Sequence, residues 1–294
     1  MFVSNNTIVT TEQGLLLADS EFEKIYSFDG FQDVNKESCV KPSVFIKTEI
    51  FPTLTIAGDS KLLLGKIYSN GEKLFISNEF KGMNEIQESN YLVVPKIRYK
   101  VSDTMNRTMV WLYAKYLVGG YYCLEKQTNK PTIIIKLNKF SKKEATKLHK
   151  YDGVTYDLSS KMIFIQNENI ISELGESKKN LNPKLYGLTV SMVNYFIHSM
   201  LIETDSKLEF QYKTMAYDVF MFAYSMGDKL FKIEEQKNNK KIFILIPIEK
   251  TDYLSIKDSL YVRINKVLKG KDVKGFNIEN PDNKAFISGF FVIK

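Results

Sequence analysis

Leu112-Tyr113-Ala114-Lys115-Tyr116-Leu117-Val118-Gly119-Gly120-Tyr121 is the stretch on which the reading of this chain turns. Across residues 104–122, Met109, Leu112, Tyr113, Tyr116 and Leu117 fall on one stripe at helical spacing, so a helix is expected there. A strand over 132–137 follows Lys130-Pro131. Ser141-Lys142-Lys143-Glu144 then opens a second helix, with Ser141 as N-cap and Glu144 placed to close a capping box. Strands are expected at 153–158 and 161–166, and helices at 168–174 and 189–202. The same order then recurs. A strand over 207–213 precedes a helix over 215–226, which Gly227 ends as a C-cap. Two further strands, 229–235 and 241–248, are joined by Gln236-Lys237-Asn238-Asn239-Lys240.

Outward from this centre the texture changes. Residues 7–11 are rich in β-branched side chains, and Glu12-Gln13-Gly14 makes a turn. Ile25-Tyr26-Ser27-Phe28 is followed by Asp29-Gly30, a hairpin signal. Strands are expected at 44–50, 63–67, 73–76 and 91–94, with Asn70-Gly71 as another tight turn. After 252 short strands return at 259–268, 273–277 and 286–293, with Asn280-Pro281-Asp282-Asn283 as a turn. An all-β start, a mixed middle and an all-β end indicate one domain inserted into another. The expected boundaries are 1–101, 102–250 (repeats at about 104–188 and 189–250) and 251–294.

Composition bounds the function classes. Of 294 residues, 44% are hydrophobic and 26% charged, the balance of folded domains with a core and not of a disordered chain. The net charge of +7 permits a polyanion-binding surface without demanding one. Cys39 and Cys123 lie far apart and only His149 and His198 accompany them, so neither a zinc site of ordinary spacing nor a disulfide framework is expected. A reducing interior follows, cytoplasm or nucleus. Met1-Phe2-Val3-Ser4-Asn5-Asn6-Thr7 lacks the form of a signal peptide, and no apolar window spans a bilayer, so no membrane partner is expected.

Four blocks carry a resemblance. Residues 7–15, 25–30, 75–80 with 91–95, and 273–294 with Asn283-Lys284-Ala285-Phe286-Ile287-Ser288-Gly289, are similar in order to the strands of inteins, the Hint domain. In the middle, 112–121 and Ile197-His198-Ser199-Met200-Leu201-Ile202-Glu203-Thr204-Asp205-Ser206 resemble the paired motifs of LAGLIDADG homing endonucleases. Residues 212–219, Ser225-Met226-Gly227 and the lead-in Lys179-Asn180-Leu181-Asn182-Pro183 also resemble that family. The resemblance implies an all-β, horseshoe-like Hint domain with an inserted α+β, two-repeat LAGLIDADG domain, free-standing and degenerate.

Splicing needs a thiol or hydroxyl at the first family position, because an amide carbonyl yields only to an activated nucleophile. That position falls on Phe2 (or Met1). The helping His falls on Ser60, its Thr on Ala57, and the terminal His-Asn pair on Ile293 and Lys294. None of these side chains can do the inherited work, and the chain starts at Met1 and ends at the last block. The resemblance therefore implies a splicing-inactive scaffold.

The nuclease chemistry needs one acid from each motif helix, so that divalent ions can bridge scissile phosphates and polarise water. The second motif supplies Asp205, with Glu203 two residues earlier; the first places Gly119 at the acid position. Glu125 is the nearest downstream replacement, and Met200 and Ser206 depart from the family's small residues. Double-stranded DNA is the partner implied. It would lie across strands presenting polar or basic side chains at every second residue: Lys136 and Asn138 (with Thr132) in the first repeat, Lys207, Gln211 and Lys213 in the second. Glu209 and Glu234 oppose that reading. Lys142, Lys143, Lys237, Lys240 and Lys241 would neutralise phosphates. Three readings stay open at this point. They are a cleavage-impaired DNA-binding relative with no cofactor, an active site-specific endonuclease using Mg²⁺, and a fold reused for assembly with a protein partner.

Overall fold

The computed structural model describes all residues except 1, 28–29, 72–73, 98–104, 126–128, 176–177, 228, 238–240, 250–252, 257, 280–284, 289–290 and 294. The chain folds as two compact units, Met1–Ile97 with Leu230–Glu235 and Ile248–Lys294, and Arg98–Lys229 with Gln236–Pro247. Both ends of the chain thus belong to one unit. Leu230–Glu235, read from the sequence with the centre, lies in the first unit, where the Ile233 N–H donates to the Ile50 carbonyl at 2.7 Å.

The first unit is mainly β and antiparallel. Its long path of strands runs Gly14–Leu17, Ile8–Thr11, Lys24–Ser27, Phe286–Ser288, Phe291–Ile293, Lys61–Ser69, Tyr91–Pro95, Ser259–Lys269, Ser43–Thr48 and Leu54–Ala57. Strands from the end of the chain therefore lie between strands from its start; Tyr91, for instance, faces Arg263. The Asn70-Gly71 turn, with Gly71 at φ +94°, joins Lys61–Ser69 to Leu74–Gly82 in a hairpin longer than expected, in which Phe75 faces Tyr68. Phe286–Ser288 and Phe291–Ile293 pair with each other where one strand over 286–293 is expected. A separate sheet aligns Phe2–Ser4, Val273–Glu279 and Asn35–Lys41. Val9, Ile25, Ile46, Leu64, Leu92 and Val292 lie in a core that excludes water completely, and the strands Ile8–Thr11 and Phe291–Ile293 are buried at every residue. The turn at 280–283 lies outside the described residues, as does Asp29 of the Asp29-Gly30 turn.

The second unit holds five α-helices among the described residues: α1 (Arg107–Gly119), α2 (Lys142–Thr146), α3 (Glu168–Leu174), α4 (Val190–Leu201) and α5 (Lys213–Met226). Asn106 caps α1, its side-chain oxygen accepting from the N–H groups of Thr108 and Met109 at 3.0 Å each. Residues Met109 to Leu117 of α1 are all buried, so this helix is a central post packed on every side. It packs against α4, where Tyr113 stacks on Phe196 with ring centroids 6.0 Å apart. The capping box at Ser141 and Glu144 forms as their spacing indicates.

A four-stranded antiparallel sheet follows the order Gly120–Leu124, Pro131–Lys136, Met162–Ile165, Val154–Asp157. Its inner face buries Ile133, Ile135, Ile163 and Ile165. Ile133 and Ile165 face each other across the ladder. Further along the chain Leu208–Phe210 pairs with Lys241–Ile248, Leu208 facing Leu245. Among the described residues no helix is long and apolar enough to cross a membrane.

Candidate functional site

Two places carry the chemistry that the sequence raised. The first is the set of positions that the intein resemblance assigns to splicing. Phe2 opens the strand Phe2–Ser4 and is 2% exposed; Ser60 is 1% exposed. They are bonded to each other: the Phe2 N–H donates to Ser60 Oγ at 3.0 Å, and that hydroxyl donates to the Phe2 carbonyl at 2.5 Å. Ala57, also buried, accepts from the Ser60 N–H. Ile293 is buried and faces Leu62, two residues beyond Ser60. Lys294 lies outside the described residues. Phe2, Ala57 and Ser60 are thus joined by hydrogen bonds, and Ile293 pairs two residues along the strand that follows Ser60. No side chain among Phe2, Ala57 and Ile293 offers a nucleophile or a base, and the one hydroxyl, on Ser60, is committed to the Phe2 backbone.

The second place is the meeting of α1 and α4. Lys115 faces inward from the middle of α1, 2% exposed. Its Nζ lies 2.6 Å from Glu203 Oε1 and donates to the Ser199 carbonyl at 3.1 Å. Glu203, just past α4, has its side chain 4% exposed. Its second oxygen, Oε2, accepts from the Asn138 N–H at 2.7 Å, and its carbonyl accepts from Asn138 Nδ2 at 2.5 Å. A carboxylate leaves water without a large penalty only when a counter-charge and hydrogen bonds replace hydration, and both oxygens are supplied here. The pairing of Lys115 with Glu203 joins α1 to the turn after α4 and, through Asn138, to the end of the strand Pro131–Lys136. Sequence reasoning singles out Glu203 but misses its partner. An inward lysine on an apolar helix is the signal that could have found it.

Would these residues hold Mg²⁺? The ion takes carboxylate oxygens at about 2.0–2.1 Å in near-octahedral geometry. Both Glu203 oxygens are already engaged, Oε1 by Lys115 and Oε2 by the Asn138 N–H, so a cation would have to displace one of these partners. Asp205 is exposed, in a turn where it and Ser206 both adopt positive φ, +47° and +68°. Gly119 is closed: a Cβ there would stand 2.2 Å from the Lys136 carbonyl oxygen, so no acid side chain fits without moving the backbone. Glu125 lies five residues along an extended strand from Gly120, about 16 Å away at roughly 3.3 Å per residue. It accepts from Gln166 at 3.4 Å. Among the described residues no three His, Cys, Asp or Glu side chains converge as a metal-binding group. The residues present do not fit a two-carboxylate metal centre at the helix crossing.

No protein-family model and no curated protein matches this chain.

The segment before α4 is fastened to the helices by buried polar side chains. Asp218 of α5, 1% exposed, accepts from the Leu181 N–H at 2.8 Å and from the Tyr186 hydroxyl. Burial pushes its carboxyl up to about 7, with the Leu181 N–H working the other way. The Tyr113 hydroxyl of α1 accepts from the Asn182 N–H at 3.0 Å, and burial raises its pKa as well. Lys178 donates to the Leu117 carbonyl at 3.1 Å and to that of Gly120, placing a cation on the open C-terminal end of α1.

The would-be DNA surface is less basic than the sequence indicates. Lys136, Lys142 and Lys143 are exposed, as are Lys207, Glu209, Gln211 and Lys241. Asn138 is exposed, yet its amide group is committed to Glu203. Three expectations need correction. Thr132 is 5% exposed and so does not point to solvent. The strand expected over 207–213 is only Leu208–Phe210, because Lys213 already forms the first turn of α5. Lys213 is therefore a helix residue, with its Nζ 5.4 Å from the Tyr217 ring centroid. The helix expected to run to 122 ends at Gly119, and Gly120–Leu124 is a strand. Lys240 and the side chain of Lys237 lie outside the described residues. On the outer face of the four-stranded sheet, Tyr121, Ile134, Phe164 and Thr155 form one row across the ladders. Tyr121 is 52% exposed.

Proposed function

We propose that the central unit is a LAGLIDADG-type body that binds duplex DNA without cutting it, carried on a splicing-inactive Hint-type scaffold. The single observation that carries this reading is the buried Lys115–Glu203 ion pair where α1 and α4 pack. A nuclease of that family would keep a free acid from each helix at the crossing; here Lys115 engages Glu203 inside it, and Asp205, the acid that the resemblance assigns, stands exposed in the turn beyond α4. Gly119, shut against the Lys136 carbonyl, forbids the acid from α1. Support for the scaffold comes from the mutual hydrogen bonds of Phe2 and Ser60, the two positions that the intein resemblance assigns to one catalytic centre. Lys136, Lys142 and Lys143 remain exposed for phosphate contacts.

The test is fluorescence anisotropy with a labelled random duplex across a salt series, with and without Mg²⁺. The expected result is affinity that falls linearly in log–log form with salt, and a duplex recovered intact. Absence of binding at low salt would refute it.

A second reading, a surface for a protein partner, is favoured by one observation: the outer row Tyr121–Ile134–Phe164 is apolar where a DNA face would be polar. Binding that ignores salt and follows substitution of these three residues would favour it over the first.

A further inference from the structure

A cleft of about 700 Å³ opens beside the C-terminal end of α1, within the second unit. Its size falls in the range of about 300–1,000 Å³ typical of small-molecule sites. Gly120-Tyr121-Tyr122, Lys178-Lys179 and Glu209-Phe210-Gln211-Tyr212 all line it. Three features of the lining point to one ligand chemistry. Tyr121 and Tyr212 keep about half their surface open, 52% and 44%, so both rings present area on which a planar group can stack. Lys178, which lines the cleft, uses two of its three N–H donors on the carbonyls of Leu117 and Gly120, and its Nζ lies 4.8 Å from the Tyr116 ring centroid. Burial lowers its pKa to about 8, so it is still mainly charged at neutral pH. Glu209 and Gln211 bring hydrogen-bonding groups to the same space, able to accept from an exocyclic amine or pair with a ring edge.

We propose that this cleft binds a single nucleotide, its base stacked on Tyr121 or Tyr212, its phosphate beside Lys178 and Lys179, and its amine edge read by Glu209. Aromatic faces with a lysine at the rim are how bases are held outside a duplex, because every base has a π-face and one phosphate needs only one or two cations. The carboxylate of Glu209 disfavours a bare anion and favours a ligand carrying both a phosphate and a donor. The same chemistry is presented by a free nucleotide and by an unstacked nucleotide of a DNA strand. Neither the metal question nor the grip on duplex DNA enters this proposal, so it stands apart from the reading above.

The experiment is calorimetric titration of the full chain with dAMP, inorganic phosphate and a single-stranded deoxyadenosine oligonucleotide. The same titrations are run on Tyr121→Ala and Tyr212→Ala, whose exposed rings make the fold insensitive to their loss; circular dichroism checks this. Saturable dAMP binding is expected, at least tenfold tighter than phosphate alone, and weakened at least fivefold by one of the two substitutions. An oligonucleotide much tighter than dAMP identifies the strand as the source, and equal affinities identify the free nucleotide. No dAMP binding at millimolar ligand, or binding no tighter than phosphate, overturns the proposal. So does binding that neither tyrosine substitution changes. Duplex binding with no dAMP binding sinks this inference alone, and dAMP binding with no duplex binding sinks only the preceding one.

Discussion

Replacing Lys115 with methionine leaves the Glu203 carboxylate, 4% exposed, without its ammonium at 2.6 Å. Methionine fills similar volume, so the loss is electrostatic and not a cavity. Removing one partner of a buried pair typically costs about 3–5 kcal/mol, because the remaining charge is desolvated and uncompensated. That is a large fraction of the roughly 5–15 kcal/mol that holds a domain together. Exchanging both, Lys115→Met with Glu203→Gln, removes both charges and keeps an oxygen for the Asn138 N–H. The double variant should lie within about 2 kcal/mol of the parent, giving a coupling energy above about 2 kcal/mol. The assay is urea unfolding followed by tryptophan emission. Trp111 is the only tryptophan in the chain and sits one turn before Lys115, whose Nζ is 5.7 Å from its ring centroid, so the signal reports this unit locally. With a slope of about 2 kcal/mol per molar urea, the single variants should move the midpoint down by roughly 1.5–2.5 M. Single variants within about 1 kcal/mol of the parent, or strictly additive losses, would show that the pair does not join the helices.

Three further outcomes are expected. Gly119→Asp should destabilise the second unit by more than about 2 kcal/mol, since its Cβ would stand 2.2 Å from the Lys136 carbonyl, and should not confer cleavage; thermal unfolding and a plasmid-cutting assay check both. The combined Lys136→Ala, Lys142→Ala and Lys143→Ala variant should flatten the log–log salt slope of duplex binding by about 0.9 for each phosphate no longer neutralised, measured by anisotropy. Asp218 titrates near 7 when folded against about 3.9 when unfolded, so the folded state holds the extra proton between these values. Its contribution is then fully present below about pH 4 and is lost as pH rises toward 7. Urea midpoints of Asp218→Asn should therefore fall less between pH 5 and pH 8 than those of the parent.

Where local chemistry decides, the elements are legible. Ser141 with Glu144 contains its own cause within four residues and the capping box forms as its spacing indicates, and Gly71 takes the positive φ that a turn after Asn70 calls for. The strand Asn35–Lys41 escapes sequence reading because its residues, Asn-Lys-Glu-Ser-Cys-Val-Lys, carry no apolar alternation. It is held by Val273–Glu279, more than 200 residues away. Residues 120–122 read as helix because they follow the stripe of Met109, Leu112, Tyr113, Tyr116 and Leu117; the Gly119-Gly120 pair marks the break, with the Gly120 N–H closing the last turn on Tyr116. Lys213 reads as strand because the 207–213 alternation runs into α5 without interruption. At the site, the acid Glu203 is visible in the sequence and its neutralisation is not. The distance from 115 to 203 is closed only by packing α1 on α4, which no local pattern encodes.

The most direct measurement of the central claim is incubation of the chain with a large library of duplex targets in Mg²⁺, reading retention and strand integrity from the same sample. The account predicts DNA retained in a salt-sensitive manner, with both strands whole at every metal concentration. Strand scission that requires Mg²⁺ and vanishes in Glu203→Gln or Asp205→Asn would contradict it.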